Sequence, residues 1–441
     1  MPNHADSLRL ALGGEPLTAR QLIDLLSVSQ PTISRALTAL GSELVRIGAG
    51  RTIHYALRDE GRGLGDIPVY RVETDGGLRR LGVMIPVRAE GFVMQQDDEV
   101  GGRNSYTPGL PWWLLDMRPQ GFLGRAFATR HAAALGLPSQ LNDWNDTHAL
   151  RALLVHGHDA VGNLMLGDLA RARFLEMPAP AVVAPEDFPA LAEAAERGEP
   201  PGSSAGGEQP KFAAFVGRHV LVKFTATEDN PVICRWRDLL SAEHLAAQVL
   251  LDAGIPAARS RLLDTGGRRF LEVERFDRAG ATGRRALHSL LALEAEFVGD
   301  ARAPWPVLTA RLEAQGIVAP GAAAGAALLH AFGTLIGNTD MHLGNLSFLG
   351  EEGPPYRLAP AYDMLPMAFR PLASGALPDT LPAAYIHPSV APAIWRQALA
   401  LARGFISRMS GDARFSSQWL PCAAALAHQV EEAGAKIERL V

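Results

Sequence analysis

Asp340, His342 and Asn345 fall within six residues of the stretch IGNTDMHLGNLSF, residues 336–348. An Asp followed five residues later by an Asn suits a phosphoryl-transfer loop. The Asp accepts or orients the proton of the attacking hydroxyl, and the Asn side-chain oxygen holds Mg²⁺. Such chemistry calls for a second metal carboxylate after a strand turn, and Asp363 in LAPAYDMLP stands at that place. The plainer reading of the loop by itself is a helix-ending turn with Asn and Asp as cap residues.

Lysine usage is a second chemical clue. The lysines are Lys211, Lys223 and Lys436; arginine serves everywhere else. Lys211 and Lys223 lie just after a Gly/Ser-rich turn, GSSAGGEQPK, residues 202–211. A compact ammonium suits a position that reaches phosphate. Backbone amides freed by Gly206 and Gly207 could cover phosphates, although the turn lacks the P-loop pattern. Lys223 sits inside the apolar run VLVKF, so its ammonium needs a partner. A nucleotide phosphate and the acid of a following helix are the expected ones. Glu243, one turn into a helix expected over residues 241–251, supplies that acid.

Several elements must hold these groups. Leu328, Phe332 and Leu335 recur at i, i+4 and i+7, which predicts a helix over 327–336 with one face buried. Gly337-Asn338 then breaks it and hangs the polar cluster on a loop. Residues 346–349 read as the start of a strand. Strands are also predicted at 212–216, at 219–224 and at 270–276, the last placed to offer adenine-contacting backbone. The parts follow the order found in kinases: Gly-rich turn, strand lysine, helix glutamate, linker strand, Asp-x-x-x-x-Asn, metal Asp.

Residues 1–62 have the pattern of a winged helix-turn-helix. Thr18 can cap a helix ending at Leu26, with Leu22, Leu25 and Leu26 inward. Residues 27–29 make the turn, and Pro31 fits the first turn of the next helix. Ile33, Ala36, Leu37 and Leu40 form its apolar stripe. Thr32, Ser34, Arg35 and Thr38 lie on the other face, where they could reach base edges or phosphates. Two strands, 44–47 and 52–57, flank a wing with Arg46 and Arg51 near its tip. The alternative is a small helical protein-contact domain, because arginines and acids balance across the segment. Residues 63–198 form a mixed α/β region with short strands at 69–72, 82–87 and 91–94. Trp112 to Leu115 is expected in the core, and His156 with His158 lack the cysteines or carboxylates of a metal site. Residues 199–441 are the expected catalytic core and helical lobe.

Bulk composition sets the frame. The 441 residues, 47% hydrophobic and 20% charged, fit a soluble globular protein of two or three domains. A formal charge of −5 removes any global basic signal for nucleic acid. Two cysteines, Cys234 and Cys422, are too few for a disulfide scaffold or zinc cluster. A reducing cytoplasm is expected, with no membrane span.

SAGGEQPKF, LEVERFDR, IGNTDMHLGN and LAPAYDMLP together resemble the HipA family of bacterial serine/threonine-kinase toxins. The N-terminal winged helix resembles the family's YjjJ-like branch. The resemblance implies an α+β fold, two-lobed and protein-kinase-like, with a mostly helical C-lobe. It implies Asp340 as the catalytic Asp, with Asn345 and Asp363 on Mg²⁺. It implies ATP held by Ala205, Gly206, Gly207, Glu208, Gln209, Lys211, Lys223, Glu243, His342 and the hinge residues Glu274, Arg275 and Phe276. It further implies that the kinase phosphorylates a serine of its own loop, Ser203 or Ser204. Two departures from the family pattern stand. The Gly-rich loop is one residue longer before its lysine, and the DNA reader is fused to the kinase instead of residing in a separate antitoxin. The expected function is transfer of the γ-phosphoryl of ATP to a protein Ser or Thr, within a toxin–antitoxin type system. Expected partners are a protein substrate, DNA and an antitoxin, with a homodimer left open. Two rivals remain: a lipid or small-molecule kinase, and a DNA-acting protein, either a transcription regulator or a metal-dependent nuclease using Asp340 and Asp363.

Overall fold

The computed structural model describes residues 4–48, 53–97, 104–198 and 209–440. Ser203, Ser204, Ala205, Gly206, Gly207, Glu208 and Arg51 lie outside the described residues.

Local chemistry sets the N-terminal elements. The Thr18 hydroxyl accepts from the Gln21 N–H, and the Gln21 side chain accepts from the Thr18 N–H. This reciprocal cap, worth about 1 kcal/mol, starts the helix Ala19–Leu26. Ser27, at φ 53°, ends it in the left-handed region. Pro31 then sits in the first turn of the helix Gln30–Leu40. Ile33, Ala36, Leu37 and Leu40 are buried against Leu8, Leu12, Leu22 and Leu57. Leu8 and Leu12 come from an additional helix, His4–Ala11, and the turn after it. Within the helix only Leu8 is fully buried, so its pattern is weak in the sequence. Leu25, expected inward, is 61% exposed because that core is filled from the Leu22 side. The strands Leu44–Ile47 and His54–Leu57 pair antiparallel, and Leu17–Thr18 adds to the free edge of the second.

The middle region is built on an antiparallel sheet. Its strands run in the order Asn104–Thr107, Gly91–Gln96, Leu78–Val87, Ile67–Val72, Leu164–Leu166. Val45, Ile47 and Ala56 share a core with Ile85, Val87 and Val93, so the N-terminal unit rests on this sheet.

A second antiparallel sheet orders Ser260–Thr265, Arg268–Glu274, His219–Phe224 and Lys211–Phe215. Phe188, Phe212, Val222, Phe224 and Phe270 fill one of its faces. The helix Pro231–Asp252 contacts the same sheet. It starts well before residue 241, since Asn230 caps Ile233 N at 3.0 Å and Pro231 opens the first turn. Buried Arg235 and Asp238 interrupt its apolar stripe, which is why its early turns do not read as helix. The strand expected to reach residue 276 stops at Glu274. There Arg275 turns to bind Asp277 with two hydrogen bonds, at 2.9 and 2.7 Å.

The C-terminal lobe is helical. Leu290–Phe297, Trp305–Ala314, Ala322–Leu335, Pro392–Ser410 and Leu420–Ile437 enclose a core that includes Leu329, Phe332, Leu335, Trp395, Phe405 and Val430. Among the described residues no helix is long and apolar enough to cross a membrane.

Candidate active site

The buried helix Ala322–Leu335 delivers the polar loop, and one buried amide fixes it. Gly337 takes φ 75°, a left-handed value that lets the chain leave the helix. Asn338, only 4% exposed, accepts from the Asp340 N–H at 3.0 Å and donates to the Asp363 carbonyl at 3.2 Å. Asn338 therefore ties the two loops that carry the key carboxylates. Asn345 donates its amide nitrogen to the Asp340 carbonyl at 2.8 Å. Its side-chain oxygen is left as the acceptor. His342 accepts from the Gly344 N–H at 3.0 Å through Nδ1. The Tyr362 hydroxyl donates to the Gly344 carbonyl at 2.7 Å and meets Ser347 Oγ at 2.7 Å. Asp363 itself sits at φ 55°, an uncommon place for a non-glycine residue. Such strain persists where the surroundings over-determine it, as Asn338 and Tyr362 do here.

Lys223 comes from the opposite wall. It pairs across the sheet with Lys211 on one side and Leu271 on the other. Its ammonium binds Glu243 Oε1 at 2.6 Å and also the Asp363 carboxylate. Lys223 and Glu243 are both buried. Burial alone would lower the lysine pKa, but Asp363 and Glu243 outweigh it and hold the ammonium above its ordinary range. Burial also opposes the Asp363 charge. Lys223 and Lys211 override that and keep this carboxylate below its usual range. Glu243 is pushed up by burial.

These groups border a cleft of about 280 Å³. Leu221, Val273, Glu274, Phe276 and Leu291 line it together with Lys211, Lys223, Glu243, His342, Asn345 and Asp363. A second cavity of about 720 Å³ shares Lys211, Lys223, His342 and Asp363 and adds Gln209, Trp236, Asp340 and Arg370. Asp340 thus faces the second space, with Asp363 common to both. Glu274, Arg275 and Phe276 border the first. The Arg275 side chain is committed elsewhere, in a buried cluster with Asp277, Arg278 and Asp159 that joins this turn to the middle region. Among the described residues no group of three or more His, Cys, Asp or Glu could hold a metal ion. Mg²⁺ needs less: one or two carboxylates plus substrate phosphates suffice. The oxygen donors of Asn345 and Asp363 fit that requirement.

Three residues of the site carried little signal in the sequence. Asn338 read only as a helix breaker. Tyr362 has no signal of its own beyond standing next to Asp363. Asp116, from the middle region, lines the cleft from 173 positions before its partner Ser289. A carboxylate inside the apolar run WWLLDM was its one hint.

On the N-terminal unit Ser34, Arg35, Thr38 and Arg46 are exposed, and Thr32 is half-buried. Arg35 Nε donates to the Pro31 carbonyl at 3.3 Å, and the Thr38 hydroxyl donates to the Ser34 carbonyl at 2.9 Å.

Residues 64–175 match the family described as YjjJ-like toxin, middle domain, and residues 203–387 match the HipA-like C-terminal domain. Toxin YjjJ of Escherichia coli strain K12 is 37% identical over 435 residues, spanning 96% of this chain and 97% of the relative. Among solved structures, HipA of the Shewanella oneidensis MR-1 HipA, HipB and operator DNA complex aligns over 85% of this chain and 97% of its own. That alignment has a TM-score of 0.49 and 16% identity. The Helicobacter pylori proinflammatory kinase CtkA aligns over 53% of this chain and 90% of its own, at a TM-score of 0.38 and 15% identity. On the full-length identity to its curated relative, the chain belongs to the YjjJ-like toxin family and carries a HipA-like C-terminal domain.

Proposed function

We propose that the protein is an ATP-dependent serine/threonine-protein kinase, with a fused DNA-binding unit. The observation that carries this reading is the buried Lys223–Glu243 pair bound to Asp363, beside a loop that sets Asp340 and Asn345 together. A lysine held by a helix glutamate is the arrangement that positions ATP phosphates in kinases. On this reading adenine lies against Leu221, Val273 and the backbone of 274–276. Lys211 and Lys223 contact phosphate oxygens. Asp340, facing the larger cavity, orients the acceptor hydroxyl and takes its proton. His342 borders both spaces, next to the nucleotide. Mg²⁺, when bound, would be held by Asn345 and Asp363 and would neutralise charge on the phosphates.

The test is ATP consumption by the purified protein with a cell extract, followed by phosphoproteomics. New phosphoserine or phosphothreonine on an extract protein is the expected result. The same mass spectra read Ser203 and Ser204. A phosphate there would add about −1.5 to −2 charge, and on this reading its repulsion of the triphosphate would shut the site. We expect it on Ser203 in active protein only. Phosphate found on a metabolite alone, or DNA cleaved with Mg²⁺ and no ATP, would overturn the protein-kinase reading.

The N-terminal unit is proposed to bind duplex DNA through Thr32, Ser34, Arg35, Thr38, Arg46 and Arg51. Affinity should fall with salt as counterions are released. Arg35→Ala should weaken binding and reduce the salt slope by about 1. A gel-shift series on DNA upstream of the protein's own gene checks this. Absence of binding at low salt would leave the unit as a protein-contact module.

A further inference from the structure

Asp116 is a carboxylate lining the cleft, and among the described residues no basic side chain pairs with it. It belongs to the short helical segment Trp112–Met117 of the middle region. Its Oδ2 accepts from the Ser289 N–H at 2.7 Å. The other carboxylates lining the cleft all have basic neighbours. Glu243 and Asp363 hold Lys223, Asp277 holds Arg275 and Arg278, and Glu274 lies 3.7 Å from Arg218. Burial pushes the Asp116 pKa up, with hydrogen bonds from the Ser289 hydroxyl and N–H opposing. A carboxylate out of water is costly unless donors satisfy its remaining lone pairs. A partly satisfied one facing a cleft marks a place where a ligand supplies donors.

Its position along the cleft is fixed by a chain of contacts. Ser289 pairs in register with Ser347. Ser347 Oγ meets the Tyr362 hydroxyl at 2.7 Å, and the Tyr362 ring lies 5.7 Å from that of Phe276. Tyr362 directly precedes Asp363. Asp116 therefore stands on the wall that runs from the 274–276 turn to the Asn345 and Asp363 end. On the nucleotide reading above, on which this inference rests, base and phosphates occupy those two ends. The sugar must span the middle, and its two adjacent hydroxyls are hydrogen-bond donors.

We propose that Asp116 accepts hydrogen bonds from the ribose hydroxyls of the nucleotide. The middle region thereby completes the nucleotide site and makes it selective for ribonucleotides. The selectivity arises because a deoxy analogue leaves a desolvated carboxylate without its donor.

The experiment is calorimetric titration of the full-length protein with ADP, 2′-deoxyADP and 3′-deoxyADP in Mg²⁺. ADP is expected to bind about tenfold more tightly than the weaker of the two deoxy analogues. Asp116→Ala should weaken ADP to nearly the level of that analogue and leave the analogue's own affinity little changed. Asp116→Asn keeps an oxygen for the Ser289 N–H, so it carries the test if the alanine variant melts early. It too should lose most of the discrimination. Wild type that does not discriminate, or variants that discriminate as well as wild type, would overturn the inference. Failure of wild type to bind ADP at all would instead overturn the nucleotide reading beneath it.

Discussion

Asp340→Asn is expected to lose about 10²–10⁴-fold in phosphoryl transfer, the range for removing a general base. Nucleotide affinity should change little, because the lost interaction belongs to the transition state. The fold should also survive. The hydrogen bonds that fix residue 340 run through its backbone, from its N–H to Asn338 and from Asn345 to its carbonyl. An amide of the same shape leaves both in place. Its outward group offers a nitrogen that cannot take the hydroxyl's proton. Single-turnover rates and calorimetric ADP titrations on the same preparation separate the two effects. A near-wild-type rate would remove Asp340 from the catalytic position. A parallel loss of rate and of melting temperature would make it a structural residue instead.

Lys223→Met is expected to cost both function and stability. Glu243 is buried, and its Oε2 has no hydrogen-bond partner among the described residues, so Lys223 carries much of its compensation. Breaking a buried ion pair from one side costs about 3–5 kcal/mol, since a charge is left uncompensated. The half-exposed Asp363 gains water more easily and adds less. Lys223→Met should therefore shift the denaturant midpoint down strongly and abolish ATP binding. The double variant Lys223→Met, Glu243→Leu removes both buried charges and should regain most of the stability, with no recovery of ATP binding. Denaturant titrations of the wild type and of the single and double variants give the comparison. An unchanged midpoint in the single variant would make Lys223 a snorkelling side chain whose head stays in water.

Some of this site is legible in the sequence because its signals are local. A lysine inside VLVKF must aim its charge at something, and the strand forms over the expected residues, His219–Phe224. The apolar repeat ending at Leu335 and the Gly337-Asn338 break place the polar loop correctly. The stripe Ile33, Ala36, Leu37, Leu40 is buried as its spacing requires. What local pattern misses is set by contacts far apart in the chain. Lys223 meets Asp363 across 140 positions, and Asp116 meets Ser289 across 173. No spacing rule encodes either. The helix Pro231–Asp252 hides its first turns because Arg235 and Asp238 are buried charges, satisfied by Phe369, Pro378 and Ser416 of the helical lobe. The family resemblance makes Arg275 a hinge residue, a role that rests on its backbone. Its side chain binds Asp277, two residues on, and the strand ends at Glu274.

The proposed reaction in this cleft is transfer of the γ-phosphoryl of ATP to a protein hydroxyl. The most direct measurement follows γ-³²P-labelled ATP incubated with the full-length protein and a cell extract, with Mg²⁺ and with chelator. Acid-stable label on serine or threonine of protein is expected, dependent on Mg²⁺ and absent with Asp340→Asn. Label confined to a small molecule or to inorganic phosphate, or equal labelling by Asp340→Asn, would contradict it.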